Sequence, residues 1–278
     1  MSAVRGEGPG PELDALAADL LQAWDRAACL PLPSSRAGGL TLAQAYGVAE
    51  QLRRLRVARG ERPAGWKIGF TNRSLWERYG VFAPIWGPVW DGTVQSLDDG
   101  CGELSLAGLC QPRLEPEIVF GFARAPQPGM SLQALQECLQ WVAHGFEVVH
   151  THCADWRFRA ADCVADFALH GRLCIGPRVP VAGWSTMADD LAAMQLTLRC
   201  DGAVKDRGTG GAVLDGPLQA LKLWIDQMPR FSPSWQVQAG DVVTTGTITD
   251  AWPLQPGQHW RTELTESRLA PLSLHTRA

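Results

Sequence analysis

Apolar residues near the start of the chain recur at helical spacing. Leu13, Leu16, Ala17, Leu20, Leu21 and Trp24 fall on one face of a 3.6-residue repeat. Residues 29–40 (CLPLPSSRAGGL) break the pattern with proline and glycine. A second periodic stretch opens at Thr41, which with Gln44 fits a capping box. It runs through Leu42, Ala45, Ala49, Leu52 and Leu55 and stops at Gly60. The first sixty residues therefore read as helical, after a Gly/Pro-rich, loose beginning over residues 1–10.

The texture then changes. Short apolar runs bounded by Gly and Pro follow one another: GWKIGF, IWGPVW, PEIVFGF, FEVVHTH, LCIG, QLTLRC and DVVTTGTIT. These predict strands joined by many turns. Two helices interrupt them. One covers 131–145, with Ser131 as N-cap and Leu132, Leu135, Leu139 and Val142 on one face; the other covers 216–228. Helices followed by strands favour an α+β fold over alternating βαβ units. The chain divides into an N-terminal helical segment, 1–62, and a β-rich body, 63–278. It carries no internal repeat.

Composition narrows the function. A chain of 278 residues fits one or two domains at roughly 150 residues each. Its 46% hydrophobic and 19% charged residues suit a packed globule. Net charge is 25 − 29 = −4, so no basic excess points to nucleic acid or an anionic membrane. No apolar window is long enough to span a bilayer, and the N-terminus lacks the apolar core of a secretory signal. The eight cysteines stand singly, without a C-x-x-C pair, which reads as reduced thiols in a cytoplasmic protein.

The strongest local signal is Glu115-Pro116-Glu117-Ile118-Val119-Phe120. On a strand, Glu115 and Glu117 share a face. Two like charges there need either solvent, as at a strand end, or a cation. Glu147 sits in the apolar run Phe146-Glu147-Val148-Val149, where a carboxylate is costly to bury without a partner. Convergence of the three would build an all-oxygen site for Mg²⁺ or Mn²⁺. Lys67, among glycines and apolar residues, is either a snorkelling surface lysine or a proton carrier whose pKa burial would lower. On a strand through 146–152, His150 and His152 face away from Glu147, which argues against their ligating the same ion. His144, His170 and His259 have no visible partner. Gly208, Gly210 and Gly211 lack the Lys-Ser/Thr and the strand–helix context of a phosphate loop. The twelve tryptophans are scattered and read as core and pocket walls.

These motifs together resemble the 2-keto-4-pentenoate hydratase and 4-oxalocrotonate decarboxylase family, within the fumarylacetoacetate hydrolase-like superfamily. GWKIGFT followed by Gly80-Val81, Pro84, Gly87 and Asp91 is similar to the family's GxKxGLT…GV…P…G. QPRLEPEIVF is similar to QPRxEAEIAF, HGFEVVHTHCADWRFRAADCVADFALHG to LEVVxSRxxDWxxxxxDTVADNxxxG, and Gly208–Leu218 to GxGxxxLxxPLxA. AGDVVTTGT at 239–247 is similar to AGDxxLTGA. The segments keep the family's order over nearly the whole chain.

The resemblance implies a mixed β-roll or sandwich behind an N-terminal helical segment, with Mg²⁺ or Mn²⁺ on Glu115, Glu117 and Glu147. It places the catalytic lysine at Lys67, the VAD aspartate at Asp166, and substrate contacts at Arg113 and Thr245. It implies hydration of a 2-hydroxy-2,4-dienoate to a 4-hydroxy-2-oxo acid in aromatic catabolism, with decarboxylation of a 4-oxalocrotonate-type acid as the alternative. A C–C hydrolase and a catalytically silent binding partner rank lower. Homo-oligomers, and association with a related decarboxylase or hydratase, are also implied. Two departures bear on the substrate. The acid that several hydratases carry after the proline is Ile85 here, so Asp91 or water would have to substitute, and the acid after GV is Phe82. Trp86 and Trp90 would then reshape the pocket.

Overall fold

Thr41 accepts the Gln44 N–H while Gln44 reaches back to the Thr41 N–H, closing the expected capping box at the start of the second helix. In this computed structural model, which describes residues 10–278, α1 (Pro11–Arg26) and α2 (Leu42–Ala58) form that helical beginning. The looseness expected of residues 1–10 falls almost wholly outside the described residues. The body follows as β1 (Pro63–Gly69), α3 (Trp76–Tyr79), β2 (Ile85–Trp90), β3 (Val94–Ser96), β4 (Cys101–Ser105), β5 (Arg113–Phe122), α4 (Leu132–Gln136) and β6 (Leu139–Val149). Then come α5 (Ala160–Ala165), β7 (His170–Ile175), β8 (Val179–Pro180), α6 (Met187–Ala193), β9 (Gln195–Cys200) and β10 (Ala203–Thr209). The chain ends with α7 (Pro217–Phe231), β11 (Val242–Thr244), β12 (Trp252–Pro253), β13 (His259–Leu264) and β14 (Ser273–Arg277).

A nine-stranded mixed sheet runs β2-β1-β11-β5-β6-β7-β3, with β12 beside β5 and β8 beside β6. A five-stranded sheet runs β10-β9-β13-β14-β4. The fold is α+β, as the order of periodicities implied. One expectation fails. The helix foreseen at 131–145 is a single turn, Leu132–Gln136, capped by Ser131, and Leu139 onward is strand β6. Leu139 and Val142 fit a helical period over so short a stretch. Pairing with β5 on one edge and β7 on the other overrides it.

The large sheet uses its two faces differently. Ile68 pairs with Trp86 on one face of β1–β2, and Lys67 pairs with Gly87 on the other. The Trp86 face meets the helical segment, with the Tyr46 and Trp86 rings 4.7 Å apart. Arg56 of α2 is buried there between the rings of Trp24 and Trp90, at 4.3 and 4.5 Å. On the Lys67 face a small apolar cluster (Val89, Val119, Ala143, Leu173, Ile175 and Val242) packs beside the polar groups described next. All eight cysteines are free thiols, and only Cys29 and Cys101 are exposed. Among the described residues no helix is long and apolar enough to cross a membrane.

Candidate metal centre

Antiparallel register assembles the carboxylates. Glu115 of β5 stands directly opposite Glu147 of β6, and Glu117 stands opposite Gly145, which leaves room beside it. Opposite residues and residues two apart share a face, so all three point to one side of the sheet. One oxygen from each lies within 4.8 Å of the others. Glu117 and Glu147 are fully buried, and Glu115 is partly open to a cleft.

The hydrogen bonds leave ligand atoms over. Glu117 Oε2 accepts the Gly246 N–H at 2.8 Å, while Oε1 has no partner. Glu147 Oε1 meets His170 Nδ1 at 2.9 Å, and Oε2 lies 3.4 Å from Lys67 Nζ without a hydrogen bond. Two buried, unpartnered carboxylate oxygens in an all-oxygen set fit a hard divalent cation. His170 is held from behind, its Nε2 2.8 Å from Thr93 Oγ1, and so orients Glu147. Nothing in the local sequence marked His170, because strand pairing brings it to Glu147.

Electrostatics follow from burial and crowding. Burial and the neighbouring carboxylates push Glu115 up to about 8 and Glu117 well above the usual range. Burial acts in the same direction on Glu147, yet Lys67 and His170 outweigh it and hold Glu147 below its ordinary value. Burial presses the Lys67 ammonium to lose its proton, but Glu147, Glu115 and Glu117 outweigh that and raise its pKa. The expected lowering is thereby reversed, and Lys67 is a cation whose Nζ donates to the Ala168 carbonyl at 3.0 Å.

Lys67 and Glu115 line a narrow cleft with Asn72, Thr247 and an apolar wall of Phe70, Tyr79, Trp156 and Leu169. A larger surface groove lies elsewhere, but Glu137 is its only ionisable side chain, so size does not pick the site. Arg113 sits behind the wall, donating to the Tyr79 hydroxyl at 3.0 Å and lying 4.1 Å over the Trp156 ring. Other predicted residues lie off the cleft. Trp86 faces the helices, because strand alternation puts Gly87 and not Trp86 on the Lys67 side. Asp91 lies past the end of β2, paired with Arg62 at the surface. The Thr245 hydroxyl donates to the Ile118 carbonyl and ties β11 to β5; Thr247, two residues on, reaches the cleft instead.

Asp166 is buried against Thr151 and His152 rather than lining the cleft. His150 and His152 pack on Trp24 of α1, at ring distances of 4.8 and 6.4 Å, away from the carboxylates. His144 has two partners the sequence did not reveal, the Glu117 carbonyl and the Thr262 hydroxyl, both at 3.0 Å.

The description "Fumarylacetoacetate (FAA) hydrolase C-terminal" matches residues 103–272, a span holding the carboxylate trio. The chain belongs to the fumarylacetoacetate hydrolase family. Within that family it is 35% identical over 222 residues to a 2-keto-4-pentenoate hydratase of Burkholderia vietnamiensis, covering 78% of this chain and 80% of that one. It is 31% identical over 222 residues to a 2-hydroxyhexa-2,4-dienoate hydratase of Comamonas testosteroni, covering 80% and 81%. Its fold is similar to that of a 4-oxalocrotonate decarboxylase from Pseudomonas putida G7 complexed with magnesium and adipate. There the TM-score is 0.85 at 25% identity, over 95% of this chain and 97% of that one. A divalent-metal enzyme of the hydratase and decarboxylase branch is thus supported by sequence, fold and donor set alike.

Proposed function

We propose that this family member is a hydro-lyase that adds water to a 2-hydroxy-2,4-dienoate, giving a 4-hydroxy-2-oxo acid. The observation that carries the reading is the convergence of Glu115, Glu117 and Glu147 on one sheet face with Lys67 Nζ 3.4 Å from Glu147. Mg²⁺ or Mn²⁺ held by the three carboxylates would supply Lewis-acid stabilisation of negative charge at the substrate C2 oxygen. The remaining work falls to side chains. Lys67, a cation beside the cleft, holds the proton exchanged with the substrate carbon chain. Asn72, whose oxygen already accepts from Ser74, offers its NH₂, and Thr247 its hydroxyl, to orient the substrate carboxylate. Phe70, Tyr79 and Trp156 pack the hydrocarbon part and limit water to the adding molecule.

Decarboxylation is the second reading, and Ile85 favours it. Ile85 pairs with Gly69 on the Lys67 face, fully buried, where a hydratase-type acid would stand, so Lys67 has no acidic helper there. Loss of CO₂ from a vinylogous β-keto acid needs only a stabilised enolate and one proton donor. The same reading makes the protein a self-associating cytoplasmic enzyme, with residues 1–62 as a helical segment packed on a catalytic body, 63–278.

The deciding experiment incubates metal-stripped protein with 2-hydroxypenta-2,4-dienoate, with and without Mg²⁺ or Mn²⁺, and follows the dienol absorbance and the product mass. Metal-dependent gain of one water establishes hydration. Ketonisation without hydration, together with CO₂ release from 4-oxalocrotonate, moves the assignment to the decarboxylase. Turnover of neither overturns both.

A further inference from the structure

Phe167, Ala168 and Leu169 have φ of 55°, 51° and 65°. Three consecutive residues with side chains in the left-handed region are unfavourable, and such a run persists only where its surroundings impose it. This turn delivers the Ala168 carbonyl to Lys67 Nζ at 3.0 Å. The surroundings that impose it are on three sides. Below, the Ala168 Cβ packs on Gly87, where an added Cβ would sit only 2.9 Å away. Outside, the Phe167 ring lies 4.6 Å from that of Trp24. At the stem, the Leu169 N–H donates to the Asp166 carbonyl at 2.8 Å and the Leu169 carbonyl accepts the His150 N–H at 2.9 Å.

Asp166 anchors the stem. Its carboxylate is 1% exposed and accepts from the Thr151 hydroxyl and the His152 N–H, both at 2.8 Å, and meets His152 Nδ1 at 2.5 Å. None of these groups lines the cleft. We propose that Asp166, with His152 and Thr151, is a positioning residue: it locks the left-handed turn 167–169, whose Ala168 carbonyl aims Lys67 Nζ at the carboxylate trio. The inference rests on Lys67 being the proton carrier of the proposed reaction, and assigns Asp166 no contact with substrate.

The sequence contains three lysines, Lys67, Lys205 and Lys222, so side-chain ¹⁵N-lysine labelling gives a readable spectrum. In the Mg²⁺-loaded protein, Lys67 Nζ should give a signal assigned by its survival in K205R and K222R, and its proton exchange reports how firmly the Ala168 carbonyl holds it. Asp166→Asn should raise its proton exchange at least tenfold and lower kcat at least tenfold, with KM and Mg²⁺ affinity within about twofold. Ala168→Gly is the second variant, in case Asp166→Asn folds poorly. Glycine accepts the left-handed φ but removes the Cβ packed on Gly87 and frees the backbone, so the melting temperature should change little while Lys67 exchange quickens and kcat falls. A purely structural role predicts no such split.

An undisturbed Lys67 signal in both variants overturns the proposal, and if kcat is nevertheless lost, Asp166 acts on the substrate directly. If wild type turns over no dienoate, yet both variants disturb Lys67, the positioning role stands and only the hydratase reading falls.

Discussion

Glu117 carries a carboxylate that its surroundings strongly disfavour in the charged form. It is fully buried, faces two other carboxylates, and has one oxygen fixed by Gly246 and one free. Glu117→Gln keeps its shape and the Gly246 bond while removing a ligand charge. It should weaken Mg²⁺ binding by about 10–100-fold in a calorimetric titration. The melting temperature of the metal-free protein should hardly move, because the charge removed is one the fold disfavours. Unchanged Mg²⁺ affinity would remove Glu117 from the ligand set. The raised values of Glu115, about 8, and of Glu117 have a second consequence. At pH 7 the metal-free trio retains protons that a cation must displace, so affinity should fall as pH drops below about 8. Titrations at pH 7 in two buffers of different ionisation heat should give different apparent enthalpies. Identical heats would show that no proton leaves.

At the scale of elements, the β5–β6 pair carries all three carboxylates. Its register decides that Glu115 meets Glu147, and a slip of one residue would turn the carboxylates to the opposite face. His144 of β6 reports on the integrity of this pair. Burial holds its pKa at about 4, against 6.5 when unfolded. Between those values the unfolded chain binds the extra proton. The stabilisation is therefore complete above pH 6.5 and is lost as pH falls toward 4, by about 3 kcal/mol at the limit. Urea unfolding of the metal-free protein at pH 7 and pH 5 should show wild type losing more stability than His144→Asn, which cannot titrate. Equal losses would mean that His144 is not held neutral. The carboxylates titrate in the same range but equally in both proteins, so the difference isolates the histidine.

Part of this element-level picture was legible in the sequence. The capping box at Thr41, the helix near 216–228 and the strand runs at Lys67 and Glu115 are local patterns, and they appear where the pattern lies. The first part of β6, residues 139–145, reads as helix and only the run from Phe146 reads as strand, because the evidence for that first part is two neighbouring strands distant in sequence. Thr245 and Trp86 were misplaced for a related reason. Alternation says which residues share a face, but not which face meets the cleft.

The whole molecule couples the helical segment to the body through Arg56, 2% exposed between Trp24 and Trp90 and paired with Glu61. Arg56→Ala would leave Glu61 with Arg59 alone and open a gap among aromatic rings. It should cost about 2–4 kcal/mol in urea unfolding. Far-ultraviolet ellipticity, which weights the helices, and tryptophan fluorescence should follow one transition in wild type. Two separated transitions would show that residues 1–62 fold on their own.

The sequence by itself determined the two N-terminal helices, the α+β order, and which groups are candidates for chemistry, Lys67 and the three glutamates among them. Side-chain chemistry and short-range spacing are properties of the chain alone. Only the tertiary structure decided that His170 supports Glu147, that Thr247 and not Thr245 reaches the cleft, and that Asp166 is buried against Thr151 and His152. Each of these depends on strand register and on which face of the sheet is covered, and those are settled by contacts between residues far apart in the sequence.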